Sequence, residues 1–262
     1  MPKGGMGMSQ KSLNCYSTHA PKMDWIAQYF KYKDEFDSNN DLGSQMFSFF
    51  KRFLRDADLL DNKGFSRTAR IIERCGLDDL SAWGIMLANL AYTPQIGWFI
   101  KNFEFRENVS RNYAISRLMD DGTQERAAND IWRSYSRFID LPFSEIGLGV
   151  PDKDNGKTVS FTRISWLNPE PKVILYALYK FSEACGNYKQ FSLTRLLNHE
   201  IESDGISPTQ IFGLDRTTME RILNGLSNNY PDFISVSFTL DLDNINLKDK
   251  TSDDVLSLFE GV

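Results

Sequence analysis

From Ser44 to Pro142, apolar positions recur three or four residues apart, the period of helices that bury one face. Phe47, Phe50, Leu54 and Ala57 form the first stripe, and Ser44 is placed to cap it. Ser66 is placed to cap a second helix with Ala69, Ile72 and Cys75 inward and Gly76 just past its end. The run LSAWGIMLANLAY predicts a third, with Trp83, Met86, Leu87 and Leu90 on its inner face and Pro94 as its stop. VSRNYAISRLMDDG and QERAANDIWRSYSRFI extend the helical series until Pro142, which disfavours helix in the residue before it.

The period then changes. An Asn155-Gly156 turn signal precedes Val159, Phe161 and Ile164, which predicts a hairpin or a single strand in a linking segment. Beyond it, Pro171 near the first turn and Gly186 past the end bracket a helix over VILYALYKFSEAC. Ser192 starts a shorter helix and Ser207-Pro208 another. Asp215 caps a fourth that turns Met219, Ile222, Leu223 and Leu226 inward. FISVSFTLDLDNINL alternates Ile234, Val236, Phe238, Leu240 and Leu242, the pattern of one strand with one buried face. Helices followed by a β element are the order of a winged helix. The expected fold is therefore mainly α, with two winged-helix-like (helix-turn-helix) units and a small β component. Its predicted divisions are a polar N-terminal arm at 1–43, a helical domain at 44–142, a linker at 143–168 and a second unit at 169–262.

Composition narrows the function classes. The chain has 262 residues, 41% hydrophobic and 25% charged, enough for real cores without staples. No apolar run approaches the roughly 20 residues needed to span a bilayer, and the N-terminus lacks a secretory h-region, so a cytoplasmic protein is expected. Cys15, Cys75 and Cys185 are scattered, which suggests neither a disulfide framework nor a zinc ribbon. Cys15 and His19 make only a lone C-x3-H, short of the four ligands of structural zinc. GGMG near the start lacks the rest of a phosphate loop. No cofactor and no metal are assigned.

Charge is uneven. Net charge is −5, yet residues 44–75 hold seven Lys/Arg against four Asp/Glu. Arg67, Arg70 and Arg74 share one helical face, and Lys51, Arg52 and Arg55 lie on the preceding helix. Such a stripe suits duplex phosphates, although pairing with Asp56, Asp58 and Glu73 would make it an ordinary solvated face. Residues 200–262 hold twelve Asp/Glu against four Lys/Arg, which opposes DNA binding by the helix after Asp215.

Several long segments carry a family likeness: LPFSEIGLG, PKVILYALYKFSEACG, HEIESDGISPTQIFGLDRTTMERILNGLS and, earlier, GSQMFSFFKRFLRDADLLDN and YTPQIGWFIKNF. Together they resemble, over residues 41–260, a bacterial domain-of-unknown-function family similar to the C-terminal extension of phosphoadenosine-phosphosulfate-reductase-like enzymes. The resemblance implies an association with sulfurtransferases of DNA phosphorothioation and phage-defence systems. The chain lacks the pyrophosphatase loop and the Cys-rich segment of the large fusions, so their chemistry is not carried onto any residue here.

Three functions follow as alternatives. One is a DNA-associated accessory module acting with such a sulfurtransferase. Another is a metal-dependent DNA nickase built on His199, Glu200, Glu202 and Asp204, with Asp241 and Asp243 as a second carboxylate pair. The last is an adaptor without DNA contact, docked through Ile211 and Phe212 in the apolar SDGISPTQIFGL segment or simply folded around them.

Overall fold

The computed structural model describes residues 13–200, 203–239 and 242–260. Helix α1 (Met23–Tyr32) and α2 (Ser44–Asp56) lead into a two-residue hairpin, β1 (Leu60–Asp61) and β2 (Gly64–Phe65), then α3 (Arg67–Cys75), α4 (Leu80–Leu90) and α5 (Pro94–Asn102). The predicted caps at Ser66, Ser192, Ser207 and Asp215 form, each accepting from a backbone N–H of its first turn. Ser44 does not cap: it is the first helical residue, and Gly43 holds the extended position before it. Helix α4 does stop ahead of Pro94. With its φ preset and no N–H to satisfy, Pro94 opens α5 at the first position, only a short turn after α4.

Two successive runs follow the same order, apart from one extra short helix in the second. In the first, α5 is followed by β3 (Asn108–Ser110), α6 (Arg111–Asp120), α7 (Glu125–Phe138) and the hairpin β4 (Val150–Asp154) and β5 (Lys157–Thr162). In the second, α8 (Pro171–Ala184) is followed by β6 (Gln190–Ser192), α9 (Leu193–Leu197), α10 (Pro208–Phe212), α11 (Arg216–Asn229) and the hairpin β7 (Ile234–Thr239) and β8 (Leu242–Leu247). The sheets correspond strand for strand, with orders β3-β5-β4 and β6-β8-β7 and antiparallel pairing throughout. Their inner faces correspond as well. Val109 opposes buried Phe161, and Phe191 opposes buried Ile245.

The hairpin expected around Asn155-Gly156 forms as β4–β5, and β5 also bonds to β3, with Phe161 against Trp132 and Tyr135 of α7. One expectation changes. The alternating run from Ile234 is not one strand but the hairpin β7–β8, a length at which a single strand would exceed the usual three to ten residues. Leu240 and Asp241 lie outside the described residues.

At the centre, α4 buries every residue from Ala82 to Leu90, and α8 buries Val173 to Tyr179. Helices apolar on all sides belong in a core, and these two face each other. Gly84 lets them approach: a Cβ there would sit 2.7 Å from the Trp166 ring and 2.9 Å from Val173 Cγ1. Asn89 Oδ1 accepts a 2.8 Å hydrogen bond from Tyr176 Oη at the same contact. The polar stretch expected as an arm is docked along its described length, with Tyr16, Tyr29 and Phe36 all buried. Helix α12 (Ser252–Leu256), begun by a Thr251–Asp254 capping box, packs on α8. Among the described residues no helix is long and apolar enough to cross a membrane.

Candidate functional site: the His199 cleft and the basic surfaces

Where the two runs meet, His199 sits just beyond α9 between two adjoining hollows. One, about 680 Å3, is lined by Lys101, Cys185, Arg195, Ser203, Asp204 and Gln210 among others. The other, about 510 Å3, is walled by Glu104, Phe105, Arg106, Trp166 and Thr209. Backbone crowding fixes the floor. A Cβ on Gly205 would meet the Phe181 ring at 2.6 Å and Cys185 Sγ at 2.9 Å, so the chain passes there only as glycine.

Thr209 Oγ1 and Ser207 Oγ both donate to the Leu196 carbonyl, the latter at 2.9 Å. His199 Nε2 lies 3.1 Å from Thr209 Oγ1, and its Nδ1 lies 3.9 Å from Glu104 Oε2. Burial lowers the His199 pKa, and Arg163 adds to the effect while Glu104 opposes it. The imidazole is therefore neutral at pH 7.

The carboxylates expected beside it do not gather. Among the described residues no group of three or more His, Cys, Asp and Glu is placed to hold a metal ion. Glu200 and Asp204 line the larger hollow, while Glu202 lies outside the described residues. Asp243 has another task. Its Oδ2 accepts from Thr194 N at 2.7 Å and Thr194 Oγ1 at 2.6 Å, tying β8 to the start of α9. Burial pushes its pKa up, but the Thr194 and Arg216 hydrogen bonds outweigh it and hold the carboxyl below the usual range. His19 stacks on Phe49, with centroids 4.9 Å apart.

The basic stripe is largely engaged within the molecule. Arg67 Nη1 lies 2.8 Å from Asp253 Oδ2 and Arg67 Nε 2.8 Å from Glu260 Oε1. Arg74 donates to the Glu260 carbonyl at 3.3 Å, and Arg70 to the Phe65 carbonyl at 2.8 Å. Lys51 pairs with Asp37 at 2.5 Å and Arg52 with Asp56 at 3.4 Å, while Arg55 is exposed. The acidic C-terminal segment thus folds back onto the basic helix, a juxtaposition that separate charge counts for the two stretches do not reveal.

Ile211 and Phe212 are a correction. Both are fully buried, and the Phe212 ring packs on Trp166 with centroids 5.3 Å apart. The segment forms a one-turn helix whose apolar side closes the core, so neither side chain is an exposed anchor.

One residue at the junction escaped the sequence reading. Arg163, 1% exposed, donates to the carbonyls of Gly147 (2.8 Å), Ile100 (2.9 Å), Phe103 (2.9 Å), Gln210 (2.7 Å) and Ile211 (3.2 Å). Its guanidinium carbon lies 4.0 Å from the Phe105 ring centroid. Burial lowers its pKa to about 10, so it stays cationic at neutral pH. It joins the end of β5 to α10. Parity could have found it, because Arg163 follows Phe161 at the strand period and so points inward with it.

Residues 94–261 match the family described as protein of unknown function (DUF4007). The chain belongs to that family. No curated protein matches it. Two solved structures are similar. One, described as magnesium ion-bound SspB, has a TM-score of 0.68 and 13% identity and covers 95% of this chain and 87% of its own. The other, an SspB crystal structure, has a TM-score of 0.65 and 15% identity and covers 95% and 86%. At these identities the likeness is one of fold, and it extends well ahead of the family match, through the N-terminal helices.

Proposed function

We propose that this DUF4007 chain is a DNA-associated accessory module that works beside a phosphoadenosine-phosphosulfate-reductase-like sulfurtransferase in DNA sulfur modification or defence. The observation that carries the DNA part is the doubled topology. A helix, a strand, two helices and a hairpin, with the first strand bonded to the last, make up the first run, and the second repeats this with one extra short helix, α10; that order supports a winged-helix reading of both. Such units present the helix before the hairpin to a groove of DNA. The sulfur-modification setting rests on the resemblance of the C-terminal segments, and the likeness to SspB supports the fold. The test is titration of the full chain with a labelled duplex across a salt series. DNA binding through phosphates gives an affinity that falls linearly on a log–log plot against salt. A chain that binds no duplex at low salt, yet is captured by the sulfurtransferase, is an adaptor instead.

A second reading, a metal-dependent nickase, is favoured by one finding: a similar SspB structure holds magnesium. The His199 cleft offers a neutral imidazole with Glu104, Glu200 and Asp204 nearby, but no three-residue ligand set among the described residues. Magnesium is commonly held by one or two carboxylates plus water and phosphate, so the decisive test is activity. Supercoiled plasmid incubated with magnesium or manganese would pass to the nicked circle if this reading is right, and would stay supercoiled otherwise.

A further inference from the structure

We infer that α7 of the first run is the duplex-contacting surface, with Arg126 and Arg133 as its phosphate contacts. The inference rests on the DNA-associated reading above and specifies which of three basic surfaces serves it. Helix α7 occupies the position before the hairpin. Its inner stripe, Ala128, Ile131, Trp132, Tyr135 and Phe138, is buried to 3% exposure or less. Arg126, Asn129, Arg133 and Arg137 lie on the opposite side, at spacings that keep them on one helical face. Arg126 and Arg133 are both exposed.

The neighbours of this face are arranged to support it. Arg111, at the start of α6, donates to Asn129 Oδ1 at 2.5 Å, and Asn129 Nδ2 donates to the Glu125 carbonyl at 2.9 Å. Arg137 is committed to the Thr18 carbonyl at 2.6 Å. That bond sets the N-terminal segment alongside α7 and opens a groove of about 580 Å3, in which the Ser17 and Thr18 residues face Arg126 and Arg133. At the far end, Lys153 of β4 pairs with Asp140 at 2.6 Å and holds the hairpin beside the helix.

Charge decides among the surfaces. On α7 and the start of α6, four guanidiniums face two carboxylates, Glu125 and Asp130. Glu125 sits in the first turn, where the helix dipole favours an anion, and Asp130 is 3.6 Å from Arg133, a loose i,i+3 pair. The corresponding helix of the second run is poorer. Arg216 of α11 is shared between Glu220 at 3.2 Å and Asp243 at 3.4 Å, inside the acidic C-terminal stretch. The α3 stripe is poorer still, since Arg67 already holds two carboxylates.

The experiment compares the unaltered chain and three full-length variants by fluorescence anisotropy with one labelled duplex, after thermal melts show that all are folded. In Arg126→Ala/Arg133→Ala, affinity at low salt should fall about tenfold or more, and the slope of log affinity against log salt should flatten by about 2, the loss of two phosphate contacts. Arg67→Glu/Arg70→Glu/Arg74→Glu should bind as the unaltered chain does. Arg126→Lys/Arg133→Lys keeps the charges and should restore the slope, which guards against a folding defect in the alanine pair. If the alanine pair binds with unchanged affinity and slope while the unaltered chain binds, α7 is not the surface and only this inference falls. If the unaltered chain does not bind, the DNA reading itself falls, and this inference with it.

Discussion

Arg163 shows how one side chain can hold the two runs of a fold together. All five hydrogen bonds from its guanidinium end on backbone carbonyls, three in the first run and two in the second. Arginine is suited to this because it carries five donors in a fixed plane, whereas lysine offers three from one point. Truncation leaves those carbonyls buried without a donor, so Arg163→Met should cost about 3–5 kcal/mol in urea denaturation. Arg163→Lys should fall between the variant and the native chain, and equal stability of all three would show that the carbonyls find other partners. Phe212 is a simpler case. Being fully buried against Trp166, it should lose about 3–5 kcal/mol on Phe212→Ala. His199 gives the pH dependence. Its folded pKa lies below the ordinary 6.5, so as pH falls through that value the unfolded chain takes up the proton first and stability drops. His199→Gln should therefore show a smaller shift of urea midpoint between pH 7 and pH 5.5 than the native chain. An identical shift would place the titrating group elsewhere.

At the level of elements, local chemistry was the legible part. The caps at Ser66, Ser207 and Asp215, and the inner stripe of α7, are written in short windows, because a cap or an amphipathic face needs only neighbours along the chain. Asp215 accepts from Thr218 N at 2.8 Å, and Asp215→Ala should cost about 1 kcal/mol. The three-residue strands β3 and β6 were not legible. Neither has length enough for a period, and each exists because the last strand of a distant hairpin bonds to it. The surroundings of the basic stripe were not legible for the same reason. Arg67, Arg70 and Arg74 were correctly placed on one face, but the carboxylates of Asp253 and Glu260 arrive from almost two hundred residues away. The cleft was half legible: His199 and its acidic neighbours stood out as residue types, while Lys101 and Glu104, which complete the walls, come from other parts of the chain.

For the whole molecule, the family boundary at residue 94 and the physical boundary differ. Helix α4 ends before that residue, yet it is buried on every side and supplies the surface against which α8 packs. Gly84 admits Trp166 and Val173 to the α4 backbone, and Asn89 receives the Tyr176 hydroxyl. Tyr16, still further upstream, lies against Phe138 of α7, with ring centroids 5.1 Å apart. Removing residues 1–93 would bare this apolar side of α8 and leave the buried Tyr176 hydroxyl without its acceptor. Apolar surface on that scale costs about 25 cal/mol for each Å2 returned to water. A fragment of residues 94–262 should consequently bind a hydrophobic dye and show weak near-ultraviolet circular dichroism, while the full chain melts in one cooperative step. It should also bind duplex more weakly, because Ser17 and Thr18, which face Arg126 and Arg133 across the groove, are gone. A fragment that melts cooperatively at the temperature of the full chain would show that the two runs fold without the N-terminal helices, and that α4 is a cover and not a centre.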